Sequence, residues 1–360
     1  MLGGFQGSGG IGRVTSVLAN SIAEKEGFNV TAVAYCQSDK PMIYRLSEKI
    51  NSEYLYTSVM PMAKALVKHH AVSKLTEILK RRNIDIVIAC GALYYPLGIA
   101  AAKKAKAKCF CWEHINPATT TDYRFQNLCR KLAVKKADKI IVLTKSAQQY
   151  YSKHFSVEEQ RLAQIYNPVS QDASVSGKYD EKSRKIISVG RLSYQKNFEL
   201  LIDVAAKVLP KHPDWSWDIY GGGEGADSLR EKIKVCGLTD RVNLKGMVYD
   251  LYERYGSYSF QVMTSRYEGF PMSLIEGASN RLPLVSFDIE TGPDEIINNG
   301  ENGFLVESQN TQAMIQKIEE LIEAPELRIR MSENAFDSVK RFDLAEITER
   351  WCEICLKSMK

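Results

Sequence analysis

Two glutamates eight positions apart, Glu268 and Glu276, stand in the stretch SRYEGFPMSLIEGA at 265–278. The run VMTS at 262–265 reads as the end of a strand. After Gly269, Phe270 and Pro271, the spacing of Met272, Leu274, Ile275 and Ala278 around Ser273 reads as a helix with proline at its first turn. Such a loop presents Glu268 and backbone N–H groups at a helix N-terminus, a setting for anions or sugar hydroxyls. Glu276, about two turns further on, can point back toward a ligand lying over that terminus. On these two residues alone, an exposed loop acid and a solvated helix face are the better reading, because that is the usual fate of Glu. Other candidates shift the balance.

Arg191 and Lys196 follow the strand-like run at 186–189 and precede a helical run at 198–209. Both are placed to clamp a diphosphate, Arg191 in bidentate fashion, although either alone would pass for a surface cation. A glycine run, Gly221-Gly222-Gly223-Glu224-Gly225, closes the strand at 217–220, and Gly246-Met247-Val248 closes the one at 241–245. In the first half, Glu113-His114-Ile115-Asn116-Pro117 follows the strand at 108–112. A lone histidine is more often a structural hydrogen-bonder than a catalytic group; a place at a strand end makes the two readings even. The chain opens with GGFQGSGGIG at 3–12, followed by an amphipathic helix to about residue 26. Gly9, Gly10 and Gly12 let the backbone approach a phosphate closely. The string at 7–12 satisfies GxGxxG, but a dinucleotide site needs a strand before it and an acid about 20 residues on. The next strand ends in Cys36-Gln37 and only Met1 and Leu2 precede Gly3. This reads as a phosphate- or sugar-facing loop whose first strand is truncated or degenerate.

The elements that carry these residues alternate strand and helix along both halves, at 29–35, 61–83, 84–89, 96–107, 108–112, 124–136 and 139–143 in the first. That is the pattern of an α/β fold with doubly wound parallel sheets, whose ligands bind at the carboxyl ends of the strands. At 360 residues two domains are expected, with the polar stretch 171–185 as their linker. The uncharged run 86–102 is interrupted by Gly91 and Pro96 and resolves into a strand and a helix start rather than a membrane span. No basic, apolar leader is visible. Eight scattered cysteines, with Cys352 and Cys355 as a lone CxxC, read as free thiols of a reducing compartment. Residues 1–175 hold 24 Lys and Arg against 13 Asp and Glu, a net +11; residues 176–360 hold 24 against 30, a net −6. Much of the excess lies at Lys103, Lys104, Lys106, Lys108, Arg130, Lys131, Lys135, Lys136 and Lys139. A basic first half suits an anionic partner, and without a nucleic-acid motif a membrane surface or lipid phosphate is favoured over nucleic acid, with a merely solvated face equally compatible.

The ordered set VGRLSYQKN, YGGGEG, SRYEGFPMSLIEGAS, TGPDEII and NGFLV, with GGIGR and EHINP before it, is similar to family 4 retaining glycosyltransferases of the GT-B fold. The resemblance covers nearly the whole chain. It implies two Rossmann-like domains facing a cleft: 1–168 for the acceptor, 169–340 for the nucleotide sugar, and a helix at 341–360 crossing back. It implies that Arg191 and Lys196 neutralise the donor diphosphate, that Glu276 takes the ribose hydroxyls, and that Glu268 with the N–H groups of Gly269–Pro271 holds the transferred sugar. It further implies that Met272, Ser273, Leu274 and Gly222 belong to the same donor site, that Met247 and Val248 meet the base, that Gly9 and Gly10 approach the phosphates, and that His114 lies beside the anomeric centre. Fixed cations and helix termini serve the leaving diphosphate, so no cofactor or metal is expected. One departure is Arg281, where the family usually has glycine.

The leading expectation is a hexosyltransferase using a UDP-sugar and a lipid-linked glycan acceptor in bacterial surface polysaccharide synthesis, at the cytoplasmic face of a membrane. A non-catalytic nucleotide-sugar binder, a transferase using a soluble or protein-linked acceptor, and a nicotinamide oxidoreductase are the alternatives, the last resting on GxGxxG alone.

Overall fold

The computed structural model describes residues 1–3, 5, 9–37, 44–57, 69–118, 123–169, 179–248 and 251–359. Gly7 and Ser8 of the opening loop, 61–68 of the helix expected over 61–83, and most of the linker expected over 171–185 lie outside them. The chain divides into two compact units, Met1–Pro168 with Leu344–Lys360, and Val169–Asp343.

In the first unit, strands β1 (Thr31–Cys36), β2 (Asn51–Tyr56), β3 (Ile86–Cys90), β4 (Lys108–Trp112), β5 (Lys139–Val142) and β6 (Leu162–Gln164) pair in parallel. Helices α1 (Gly10–Ala23), α2 (His69–Arg81), α3 (Tyr95–Ala105), α4 (Arg124–Lys136) and α5 (Lys145–Phe155) alternate with them. Helices covering both faces of the sheet make the central strands continuously apolar, as in TAVAYC of β1 and CFCW of β4. The opening strand is not absent. Leu2 bridges Val33 of β1 and Ala89 of β3, with its N–H on Ile88 O at 2.7 Å and its carbonyl accepting from Cys90 N–H at 2.8 Å. Val33 N–H donates to Met1 O at 2.8 Å and Gly3 N–H to Val33 O at 3.2 Å, so residues 1–3 stitch β1–β2 to β3–β6, and the glycine loop starts from the middle of the sheet, as a doubly wound unit requires.

The second unit orders its strands β12-β11-β10-β7-β8-β9, all parallel: β7 (Lys185–Val189), β8 (Ser216–Tyr220), β9 (Val242–Gly246), β10 (Phe260–Met263), β11 (Leu284–Asp288) and β12 (Gly303–Glu307). Its helices are α6 (Phe198–Val208), α7 (Ala226–Val235), α8 (Leu251–Tyr255), α9 (Met272–Ser279), α10 (Thr311–Glu323) and α11 (Pro325–Ser338). The strand order reverses between β7 and β10, which opens a crevice at their carboxyl ends.

Helix α9 lies tight on β10: a Cβ at Gly277 would come within 1.9 Å of Gln261 Oε1. The helix ends with Leu282 N–H on Gly277 O and Arg281 N–H on Ala278 O, both at 2.9 Å, a Schellman close that puts Arg281 at φ +63°. That left-handed position explains the glycine expected there. Here the arginine occupies it with its guanidinium 4.3 Å from the centre of the Phe336 ring on α11.

The last helix, α12 (Leu344–Met359), packs in the first unit. Trp351 meets Trp112 of β4 with ring centres 4.8 Å apart, Thr348 Oγ1 meets Ser21 Oγ of α1 at 2.8 Å, and Glu349 pairs with Lys25. Cys352 and Cys355 face inward as free thiols, as do Cys109 and Cys111 of β4.

Candidate functional site

Four loops leave the carboxyl ends of β7, β8, β9 and β10 on one side of the second unit. The β7 and β8 loops touch backbone to backbone. Leu192 N–H donates to Gly222 O at 3.0 Å and Gly225 N–H to Leu192 O at 3.0 Å. Side chains are excluded there, because a Cβ at Gly221 (φ +140°) would sit 1.8 Å from Gly190 O and one at Gly223 (φ +155°) 2.6 Å from Leu192 O. This glycine run is built for its own partner loop; Gly222 is the member with open space, where an added Cβ would stand 3.8 Å from Met247 Cε.

At the reversal of strand order, Lys196 from the β7 loop meets Glu268 from the β10 loop, Nζ to Oε1 at 2.6 Å. Their side chains are 15% and 8% exposed, so the pair is shielded but reachable. Gln195 Nε2 donates to Tyr267 O at 3.0 Å and to Glu268 Oε2 at 3.3 Å. Thr264 Oγ1 lies 3.2 Å and 3.1 Å from the Lys196 and Asn197 carbonyls, and Thr291 Oγ1 donates to Glu268 O at 2.6 Å. The loop 268–271 is thus held from three sides. A Cβ at Gly292 (φ +103°) would strike Pro271 Cδ at 2.6 Å, so the TGP segment at 291–293 requires its glycine to seat there. Gly269 and Met272 are half-buried; Phe270, Pro271, Ser273 and Leu274 are buried. Ser265 Oγ and Ser273 Oγ find no hydrogen-bond partner among the described residues. Proline carries no N–H, so the expectation of N–H donors over Gly269–Pro271 is corrected: Pro271 has none to give, and the first turn of α9 begins at Met272.

Glu276, on the second turn of α9, is 8% exposed and accepts from Tyr255 Oη at 3.3 Å. Tyr255 packs with Tyr220, Tyr258 and Leu282, against which Val248 also rests. Met247 is half exposed and Arg191 exposed. Lys196, Glu268 and the start of α9 therefore form one cluster, with Glu276, Tyr255 and Val248 forming another along the same helix. Gln195, Thr264 and Thr291 follow from their adjacency to Lys196, Ser265 and Gly292; nothing in the sequence around Tyr255 marks it.

In the first unit, Gly9 caps α1 in an extended conformation with no side-chain cap, Gly10 is exposed, and Gly12 is buried one turn in. His114 is 8% exposed at the end of β4, its ring centre 4.2 Å from that of Trp112. Its Nε2 has no hydrogen-bond partner among the described residues, and burial pushes its pKa down to about 3. It is a neutral imidazole at physiological pH.

The neighbouring Glu113 is a different object. Arg130 Nε reaches its Oε2 at 2.7 Å and Tyr151 Oη donates to the same oxygen at 3.0 Å, while Ile115 N–H donates to Oε1 at 3.3 Å. Arg130, counted in the sequence with the basic surface excess, is fully buried; burial pulls its guanidinium pKa down, but the charge and hydrogen bond of Glu113, helped by Tyr151 and Tyr95, together outweigh that and raise it. Burial, reinforced by Glu113, likewise holds the Tyr151 hydroxyl well above its usual value. The glutamate was visible beside His114 in sequence, but its partners lie 17 and 38 positions away. Among the described residues, no three His, Cys, Asp or Glu side chains gather as a metal site, and no helix is long and apolar enough to cross a membrane.

Two family models match end to end: Glycosyltransferase Family 4 over residues 8–173 and Glycosyl transferases group 1 over 170–338. The amylovoran biosynthesis glycosyltransferase AmsD of Erwinia amylovora is 28% identical over 364 residues, covering 98% of each chain. Among solved structures, Anabaena HepE with UDP-glucose superposes with a TM-score of 0.84 at 20% identity, covering 99% of this chain and 98% of that one. S. aureus TarM, solved with UDP and α-GlcNAc-glycerol, gives a TM-score of 0.72 at 25% identity over 79% of this chain, which spans 58% of TarM. With its two Rossmann-like units and its ordered loop motifs, this chain belongs to the family 4, group 1 glycosyltransferases of the GT-B fold.

Proposed function

We propose that the protein transfers a hexose or N-acetylhexosamine from a UDP-sugar, with retention at the anomeric carbon, to a glycan carried on a polyprenyl diphosphate. The product would enter a bacterial surface polysaccharide such as a capsule or O-antigen, made at the inner face of the cell membrane. The observation that carries this reading is the Lys196–Glu268 pair, 2.6 Å apart at the β7/β10 reversal and beside the N-terminus of α9. A cation for a diphosphate and a carboxylate for sugar hydroxyls are needed within one sugar's length of each other. The full-length likeness to an amylovoran biosynthesis glycosyltransferase supports the polysaccharide setting, and the UDP bound by TarM supports the donor class.

In the proposed step the bond from the anomeric carbon to the diphosphate oxygen breaks and the acceptor hydroxyl bonds to that carbon on the same face. Its proton passes to the departing phosphate oxygen, so no protein nucleophile is assigned. Lys196, Arg191 and the first N–H groups of α9 meet the charge that develops on UDP. Glu268 holds the transferred sugar, Glu276 the ribose, Met247 and Val248 the base, and His114, as a neutral imidazole, hydrogen-bonds a sugar hydroxyl. Gly9 and Gly10 with the α1 N-terminus would face the phosphates.

The test is a thermal-shift screen with UDP, GDP, ADP and their sugars. Ligand at about 100 times its Kd adds about 2.7 kcal/mol of stability, a shift of several degrees. UDP and one UDP-sugar are expected to raise the midpoint, and Lys196→Ala and Glu268→Ala to lower transfer at least about 100-fold with EDTA without effect. No shift with any nucleotide, or equal and negligible turnover in all three proteins, would refute a transferase.

A further inference from the structure

Helix α4 (Arg124–Lys136) presents two faces of opposite character. Inward it places Cys129, Arg130 and Ala133 in the core. Outward it leaves Leu128 63% and Phe125 43% exposed, with Tyr123 at the helix start 55% exposed. Residues at helical spacing fix the arrangement. Phe125, Leu128 and the half-buried Leu132 form an apolar strip. Exposed Arg124, Lys131 and Lys135 line one side of it and exposed Lys136 the other. No Asp or Glu occurs from 123 to 136, and the packed neighbour α3 ends in exposed Lys103, Lys104 and Lys106.

We infer that the outer face of α4 is a docking surface for an anionic lipid bilayer. Charge complementarity selects this occupant. An apolar strip flanked by lysines and arginine is how a helix lies in the interface: apolar side chains enter the acyl boundary, and the long cationic stems reach back to the headgroup phosphates. A protein partner would be met by an interface core depleted in lysine, and a nucleic acid backbone would leave Phe125 and Leu128 without an apolar counterpart. The location serves the reaction as well. The same helix carries Arg130, which clamps Glu113 at the root of the His114 loop, and Ile115 in that loop is itself 37% exposed. Bilayer surface and His114 loop are thus joined through one rigid element, the arrangement an acceptor held in lipid requires. The inference deepens the proposed function and rests on its lipid-linked acceptor for the reason a membrane is met.

The experiment is flotation of the full chain with vesicles of phosphatidylglycerol and cardiolipin, against vesicles of phosphatidylcholine, beside a UDP thermal shift on the same samples. Wild type is expected to float with the anionic vesicles only, and less as salt rises. Leu128→Glu and Phe125→Ser are expected to weaken partition at least tenfold, and Lys131→Glu with Lys135→Glu to do the same, with the UDP shift unchanged because these side chains point away from the core. Retained flotation in all these variants would overturn the assignment, since another face would then be binding. Absence of wild-type flotation with an intact UDP shift would overturn the surface and leave the transferase standing. Flotation lost in the variants, without a nucleotide shift in any sample, would sustain the surface and refute the transferase. Concentration-dependent self-association abolished by Leu128→Glu, without vesicle binding, would overturn it in favour of a second copy of this chain.

Discussion

Each unit of the molecule holds a mostly buried glutamate clasped by a cation, and the two pairs are built to different ends. Glu113 in the first unit is closed: Arg130 is fully buried, Tyr151 takes the same oxygen, and the Ile115 N–H takes the other. Glu268 in the second is open: Lys196 keeps 15% of its side chain exposed, and Gln195 makes only a long contact. An arginine in a fixed fork locks a structure, whereas a lysine on a flexible stem can leave its partner when an anion arrives. Saturation with donors marks scaffold; an exchangeable partner marks a binding site.

The sharpest way to break this comparison is to neutralise each carboxylate. Glu113→Gln strands Arg130 in the core and should cost about 3–5 kcal/mol, a large share of the roughly 5–15 kcal/mol that holds such a protein together. Glu268→Gln should cost no more than about 2 kcal/mol, since Lys196 can turn toward water. Transfer should rank the other way, with Glu268→Gln down at least about 100-fold and the folded fraction of Glu113→Gln retaining most of its rate. Urea titrations of both variants, paired with initial rates below the unfolding transition, check the ranking. If Glu268→Gln proves the less stable of the two, the open and closed assignments are reversed.

His114 sharpens the same contrast through pH. Its pKa falls from an ordinary 6.5 to about 3 on burial. Between those values the unfolded chain binds a proton that the folded one refuses, so stability rises with pH there and is lost on acidification from 6.5 downward. The slope is at most about 1.4 kcal/mol per pH unit. His114→Gln should flatten that acid limb in denaturation curves measured from pH 4.5 to 7. The transfer rate should show no inflection from this residue between pH 5 and 8, and one near 6.5 that His114→Gln removes would mean the ring is solvated.

Most of the second unit was legible in the sequence, because its site is written in loops that follow their strands within a few residues. Arg191, Lys196, Gly222, Glu268 and Glu276 each sit in a run whose spacing announces strand, turn and helix. The first unit hides more. Its opening strand is a single bridge residue, Leu2, visible only through the bonds that it makes to β3 and that its neighbours Met1 and Gly3 make to β1. β2, six residues at a sheet edge, begins with exposed Asn51 and Ser52 and shows no apolar alternation, and β6 is only three residues long, so neither carries a readable pattern. Arg130 looked like one more surface cation among lysines because its buried partner is 17 positions away. Sequence reports charge; only packing reports which charge is sealed.

The smallest expected effect concerns Arg281. At φ +63° a side chain at the close of α9 carries backbone strain of about 1 kcal/mol that glycine would relieve. Against this stands the stacking of its guanidinium on Phe336, 4.3 Å from the ring centre, worth about 0.5–1 kcal/mol at a half-buried site. The two nearly cancel, so Arg281→Gly should move the unfolding midpoint by no more than a few degrees. Arg281→Ala keeps the strain and removes the cation, and should be the less stable of the two by about 1 kcal/mol. The pair of variants separates backbone from side chain, since Phe336→Leu should make Arg281→Gly stabilising. A gain from glycine already present in the wild-type background would mean the stacking contributes nothing. A loss of 2 kcal/mol or more would mean that Arg281 holds α9, and the helix start beside Glu268, against α11.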